Sequence, residues 1–435
     1  MYLARQRYFI SLVIIGLFFN CKVVSALEFQ PGVGVGVEAT DNAKLTEDNK
    51  ISDQITSVYV GANITENDGA LTYDAKASVN RYSYVQDTFV DQRHYFLQAN
   101  ADWEMIRDRF NWTLSDTFSQ RTKDALDLNT PDNLQDTNVF TFGADMIFPI
   151  SARQNVRVIP MFSQYYYEFY DTDNKQYAIS ADWKYKMYPL TKVGLDLGIR
   201  RVDYTEDEAI ADRIFTNAAI VIDGRRARSE YTIRLGATNV NSDNVNGVYL
   251  DETNFSGSLN FTTAVSSRST FKALVSTDLT DTSSAIGNPN DVQLSFDVVR
   301  NKVINLAYSR VDAALHSNIW AEYRNLTYSS GSDDRIVRSA GATIDYPLTQ
   351  LLSSGVYIYF NNTTQPTSLQ YDDTRYTFGG NLKYRFTPKL HSTIDLKYRT
   401  RDSTDPAQNY DELSVFANLV YGFGGVSRLT RAGDY

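Results

Sequence analysis

The chain has 435 residues, 42 of them basic and 52 acidic, for a formal net charge of −10. An acidic chain with no basic cluster argues against nucleic acid as a partner. Its single cysteine, Cys21, lies near the N-terminus, so neither disulfides nor thiol chemistry is expected to carry function.

Residues 1–26 read as a signal peptide. Arg5 and Arg7 precede an apolar run over 8–19, and Val24-Ser25-Ala26 offers a small-residue cleavage site. The apolar run is too short for a membrane helix, which needs roughly 20 residues. Its removal takes three basic residues and no acid, leaving a net charge of −13.

From there on the chain keeps a two-residue rhythm. Gly32, Gly34 and Gly36 alternate with Val33, Val35 and Val37 in a first strand. Alternating runs follow near 54–64, 70–84, 92–105 and 109–121. In the third of these Tyr95, Leu97, Ala99, Ala101 and Trp103 oppose Gln98, Asn100, Asp102 and Glu104. Successive side chains of a strand point to opposite faces, so one face is apolar and the other polar. The polar segment 122–136, with Pro131, reads as a long surface loop.

The middle repeats one device. Phe148-Pro149-Ile150-Ser151, Tyr188-Pro189-Leu190-Thr191 and Tyr346-Pro347-Leu348-Thr349 each end an alternating run, and Phe386-Thr387-Pro388 is a near variant. Proline cannot donate to a sheet ladder, so it marks a strand end. Longer loops rich in Asp, Asn, Gly and Ser lie between these turns, near 170–175, 241–247, 329–334 and 361–370. Short turns at one rim and long loops at the other are the asymmetry of a membrane barrel. The region 291–311 upsets the parity if it holds two strands, so it reads as one irregular crossing or a folded-in segment.

The closing runs set the pattern most clearly. Over 373–386, Tyr376, Phe378, Leu382 and Tyr384 oppose Arg375, Thr377, Lys383 and Arg385. Over 390–399, Leu390, Ile394, Leu396 and Tyr398 oppose Asp395, Lys397 and Arg399. Leu413, Val415, Ala417, Leu419, Tyr421 and Phe423 then share a face. Each run suffices to cross a bilayer as a tilted strand of roughly 9–11 residues. The pattern predicts an all-β, antiparallel transmembrane barrel of 18–20 strands over 27–423, in a single domain, with 424–435 as a C-terminal tail.

The last third also resembles a known family, the β-barrel porins of exopolysaccharide export loci, including those that accompany exosortase systems. The residues that carry the resemblance are Asp333-Asp334-Arg335, Tyr346-Pro347-Leu348-Thr349, Leu396-Lys397-Tyr398-Arg399 and the Arg401-Asp402-Ser403 loop. The closing strand from Asn409-Tyr410-Asp411-Glu412 to Leu419-Val420-Tyr421-Gly422-Phe423 completes it. One departure is that GGVSRLTRAGDY follows the final aromatic, where such barrels tend to end. The resemblance implies a channel in a Gram-negative outer membrane, with lipid around it. It also implies a polysaccharide or other small hydrophilic solute within, and periplasmic export machinery as a partner. The alternative is a non-conducting barrel that docks such machinery.

Catalysis finds little support. His94, His316 and His391 are far apart in sequence, and no nucleophile elbow, zinc-protease or phosphate-loop motif occurs in a suitable context. The acid clusters at Asp171–Asp173 and Asp333-Asp334 lack calcium-loop spacing, so neither a metal nor a cofactor is expected. A hydrolase at the barrel rim is the one enzymatic alternative.

The candidate site is therefore the inward face. Alternation puts Asp102, Glu104, Asp182, Lys184, Lys186, Arg234, Arg375, Lys383, Arg385, Asp395, Lys397 and Arg399 there, and Tyr357 and Tyr359 with them. Mixed charges solvate a polar interior in any case. As a functional feature they would form basic and acidic strips that track a polymer, with tyrosines stacking on sugar rings. In YYYEFY (165–170) at least two aromatics must face inward, whichever parity holds.

Overall fold

A computed structural model describes residues 27–424, except 170–172, 205–210, 243–249, 282–296, 313–314, 330–333 and 367–370. The expected signal peptide with Cys21, the tail beyond residue 424, Asp171 and Asp333 lie outside the described residues. Among the described residues helix is confined to two single turns, Pro131–Asn133 and Pro406–Gln408.

The alternating runs become twenty strands. The first five are β1 (Glu28–Thr40), β2 (Asp53–Glu66), β3 (Leu71–Tyr84), β4 (Gln92–Ile106) and β5 (Phe110–Thr122). Next come β6 (Leu134–Ser151), β7 (Gln154–Tyr167), β8 (Asn174–Tyr188), β9 (Thr191–Tyr204) and β10 (Arg213–Arg225). The third group is β11 (Ser229–Ser242), β12 (Asp251–Ser266), β13 (Ser269–Asp281), β14 (Val298–Val311) and β15 (His316–Tyr328). The last is β16 (Arg335–Pro347), β17 (Leu352–Gln365), β18 (Tyr371–Arg385), β19 (Leu390–Ser403) and β20 (Tyr410–Gly422). Each pairs antiparallel with the next, and β20 returns to β1. The count is the upper end of the expected range. The region 291–311 supplies one crossing, β14, whose outer end turns inward as described below.

Closure follows from the faces. Val33, Val35, Val58, Val60, Leu195, Leu197, Ile394 and Leu396 are exposed on the outside, an apolar belt that only lipid can cover. In hydrocarbon no strand edge can keep unpaired N–H and C=O groups, so the sheet must close on itself. At the rim that carries the chain ends, connections are two to four residues long, and Phe148, Tyr188, Tyr346 and Phe386 of the proline turns are exposed. That is an interfacial aromatic girdle. At the loop rim, connections run from five to sixteen residues. There the outward residues turn polar: Arg201 bonds Asp203 and, at 3.0 Å, Asp212, and Asn362 donates to Asp372 at 2.6 Å. The strands extend past the apolar belt.

Glycine makes the seam. Gly32 of β1 lies opposite Gly422 of β20, and a Cβ on Gly32 would sit 1.8 Å from the Phe423 carbonyl oxygen. Gly422 has φ +87°, a conformation favouring glycine. The Phe423 N–H donates to the Pro31 carbonyl at 3.0 Å. One turn of the pleat further, inward-facing Gly34 is flanked by Tyr59 and Val420, which meet across it and pack with Phe416. Gly32→Ala forces backbone apart at this seam. It should lower the temperature at which the folded barrel loses its compact electrophoretic mobility, whereas Val33→Ile on the lipid face should leave it unchanged. Equal behaviour of the two variants would refute the seam argument.

Candidate functional site in the barrel lumen

All the charged residues singled out by alternation lie on the inner wall, but their surroundings differ with height. Toward the rim with the chain ends they are solvated. Lys186 and Asp102 are exposed to the lumen, and Lys383 is 55 % exposed, 3.9 Å from Asp345. Arg385 donates to the Gln350 carbonyl at 3.1 Å, and Glu104 accepts from the Asp108 N–H in the adjoining turn at 2.9 Å. Around mid-height the charges pair: Lys184 with Asp223 at 2.8 Å, and Arg234 with Asp196 through two bonds of 2.5 Å. Asp182 lies across from Asp196 on the neighbouring strand.

Toward the loop rim the basic residues are buried. Arg399 forms a two-bond pair with Glu412, which also accepts from the Thr40 hydroxyl at 2.7 Å. Lys397 is buried beside it on β19. Asp373, fully buried, accepts two bonds from Arg375 (2.9 and 2.7 Å) and one from Arg401 (2.8 Å). An ion pair taken out of water needs good geometry and further hydrogen bonds to offset its desolvation. Here the extra bonds go to a loop from elsewhere in the barrel.

That loop is 123–133, between β5 and β6. Sequence reading put it on the surface, and the structure corrects this: Ala125, Asn129, Pro131 and Asn133 are buried, and the loop is bonded to the far inner wall. Arg401 donates from Nη2 to the Leu126 carbonyl at 2.5 Å and from Nη1 to the Asp127 carbonyl at 3.2 Å. Arg375 donates to the Ala125 carbonyl at 3.4 Å, and Gln408 to the Asp127 carboxylate at 3.2 Å. The contact passes over β4, β3, β2, β1 and β20, so the loop crosses the lumen as a chord. Asn133 holds it in shape, accepting from the Asp124 N–H and donating to the Asp124 and Leu128 carbonyls. Beside it, loop 41–52 is pinned to β20, where Lys50 donates to Asp411 at 2.5 Å. That bond holds the lysine ammonium above its ordinary range.

A second inward fold comes from β13 and β14. The β12–β13 ladder ends at Gly257 opposite Thr277, short of the outer ends of both strands. Leu279 shares a face with Val275, which is exposed on the outside. Yet Leu279 and Val298 are buried against Val202, Phe215 and Val240, inward residues of β9, β10 and β11. The hairpin has left the wall and packs its outer face on the inner face of its neighbours. Asp281 seals it, bonded to Arg213 and, at 2.6 Å, to the Tyr204 hydroxyl, while Arg300 reaches Glu252 of β12 at 3.0 Å. Tyr165 and Tyr167 of the YYYEFY run face inward, and both are buried.

The tyrosine pair of β17 is different. Tyr357 and Tyr359 are only partly buried, their rings stacked at 5.5 Å, and the Tyr357 hydroxyl donates to Asp395 at 3.1 Å. Trp320 of β15 shares their inner face, a residue that sequence reading passed over. Among the described residues no group of three or more His, Cys, Asp or Glu is placed to hold a metal ion.

Residues 323–423 match the family described as "Putative beta-barrel porin 2". The match runs from β15 through β20, the strands that also carry the family resemblance in the sequence. Among solved structures, the chain is similar to the FrpB iron transporter from Neisseria meningitidis (F3-3 variant), with 10 % identity and a TM-score of 0.51 over 90 % of this chain and 81 % of that one. The siderophore receptor PirA from Acinetobacter baumannii gives 10 % identity and a TM-score of 0.50, over 92 % and 81 %. At such identities the likeness is one of fold. No curated protein matches the chain.

Asp373 is the test of the loop anchor. Asp373→Asn leaves the buried Arg401, and the half-buried Arg375 beside it, without their carboxylate, a change that costs on the order of 3–5 kcal/mol. We expect trypsin to cut the variant after Lys123, at the base of the loop, under conditions where the wild-type protein stays intact. Equal resistance in the two proteins would show that the loop is held by something else.

Proposed function

We propose that this protein is a porin-like channel of the Gram-negative outer membrane, through which a secreted polysaccharide or another hydrophilic solute passes. The observation that carries the reading is the inner wall itself. It carries charged and polar side chains at every height, is solvated toward the rim with the chain ends, and is narrowed toward the loop rim by the chord of 123–133 and the inward end of β13–β14. Barrels of 16–18 strands already leave an aqueous channel, and this one has twenty. The rim with short turns and chain ends would face the periplasm, as in barrels of this class. Passage would be passive, with paired charges offering brief contacts rather than a deep binding well. The porin-family match supports transport as the role, and the resemblance of the closing strands supports polysaccharide export.

A second reading has its own observation. Two segments fold into the lumen, and a barrel filled in this way could serve as a docking partner for export machinery without conducting. The two readings part in planar bilayers. The channel reading expects the purified protein to conduct, and expects larger single-channel currents when 124–132 is replaced by a Gly-Ser linker. The docking reading expects no current in either protein and co-purification with periplasmic partners. Export is tested separately: normal surface polysaccharide in a strain lacking the protein would overturn it.

A further inference from the structure

The wall between the β13–β14 fold and the anchor of loop 123–133 on β18 and β19 carries a strip of aromatic rings. Register puts Trp320 of β15 beside Gly341 of β16, and Gly341 beside Tyr359 of β17. A Cβ on Gly341 would lie 2.7 Å from Trp320 Nε1 and 2.8 Å from Tyr359 Cδ1. Both rings therefore lean over the glycine from its two sides. On the next strand Tyr357 is opposite Gly379, where a Cβ would come within 2.2 Å of Tyr357 Cζ. The ring lies across β18, and its hydroxyl reaches Asp395 on β19. Five strands are thus spanned by three aromatic side chains, with Gly341 and Gly379 where a Cβ would meet a ring.

The surroundings are polar in a particular way. Asn305 donates to Glu322 at 2.9 Å, Arg324 to Glu322 at 2.8 Å, and Asn361 to Ser339 at 2.9 Å, all from the inner face. Partly exposed aromatic rings bordered by carboxylates and amides suit one chemical class. A pyranose ring offers an apolar face of C–H groups for stacking and a rim of hydroxyls for hydrogen bonds. The rings are partly exposed to the lumen, so the stacking faces are within reach.

We infer that Trp320, Tyr359 and Tyr357 form a saccharide-binding strip on the channel wall, with the strip itself supplying contacts to successive sugar rings. The inference rests on the channel reading for its biological setting, but not for its test. Binding of cellohexaose and of a mannuronate hexamer to the detergent-solubilised protein, measured by titration calorimetry, needs no open pore. Blockade of single-channel current by the same sugars adds the view from within the channel. Trp320→Ala and Tyr359→Ala should each weaken binding of at least one of the two sugars by about tenfold, the scale of one lost stacking contact. Trp320→Phe and Tyr359→Phe keep a ring and should retain most of the affinity, which separates stacking from misfolding. Absence of binding for both sugars in the wild-type protein, or affinity unchanged in both alanine variants, would overturn the strip. Sugar binding in a protein that carries no current would leave the strip standing and remove the channel reading.

Discussion

Everything in this molecule follows from the ban on unpaired backbone groups in hydrocarbon. A strand in lipid must find a hydrogen-bonding neighbour on both sides, and twenty strands satisfy this only if the last returns to the first. The closing ladder of nine residue pairs between β1 and β20 is therefore the structure's keystone. It is also its tightest point, because Gly32 and Gly422 meet where neither tolerates a side chain. The glycine-valine alternation of β1 reads from this. Valines face lipid, and glycines face inward so that Tyr59 and Val420 can meet over them. The sequence of one strand states both the membrane and the seam.

Closing so many strands creates a second problem, an interior wider than side chains can fill. The protein answers it in two ways. Part of the wall is left solvated, with charges that water and opposite partners accommodate. The rest is covered by chain: loop 123–133 lies across the lumen, and the β13–β14 end lies along the wall. Both inward segments are fixed by buried arginine–carboxylate pairs, Arg401 and Arg375 with Asp373, and Arg213 with Asp281. Such pairs add little net stability but tolerate few alternative arrangements, so they define where a segment goes more than how strongly it folds.

Much of the fold was legible in the sequence because a membrane barrel writes its faces with period two. Ile394 against Asp395, or Phe378 against Thr377, places each residue inside or outside without knowledge of any partner. The proline turns were legible for a similar local reason. What escaped was non-local. Nothing in Lys123–Asn133 distinguishes a solvated loop from one whose carbonyls are bonded by arginines some 250 residues onward. Leu279 has the parity of a lipid-facing residue, and only the early end of the β12–β13 ladder turns it inward. The role expected for Arg399 and Arg375 as open basic strips shifted for the same reason, since Glu412 and Asp373 become their partners only in register. Trp320 carries no local mark of its own. Its significance lies in Gly341 on the adjacent strand, and pairing is needed to see that.

The same packing device appears twice on the inner wall, with opposite consequences. At the seam, Tyr59 crosses β1 over a glycine row and is closed off by Phe416 and Val420, leaving 4 % of it exposed. There the ring is mortar. On β15–β18, Trp320, Tyr359 and Tyr357 lie against glycines in the same manner, but they remain partly exposed. A ring needed only to fill the wall would gain by full burial, at roughly 25 cal/mol for each Å² removed from water. Leaving three rings partly open to the lumen forgoes part of that gain. The difference between the two sites is a difference in what covers them, and it is the strip, not the seam, that has a face to offer a passing solute.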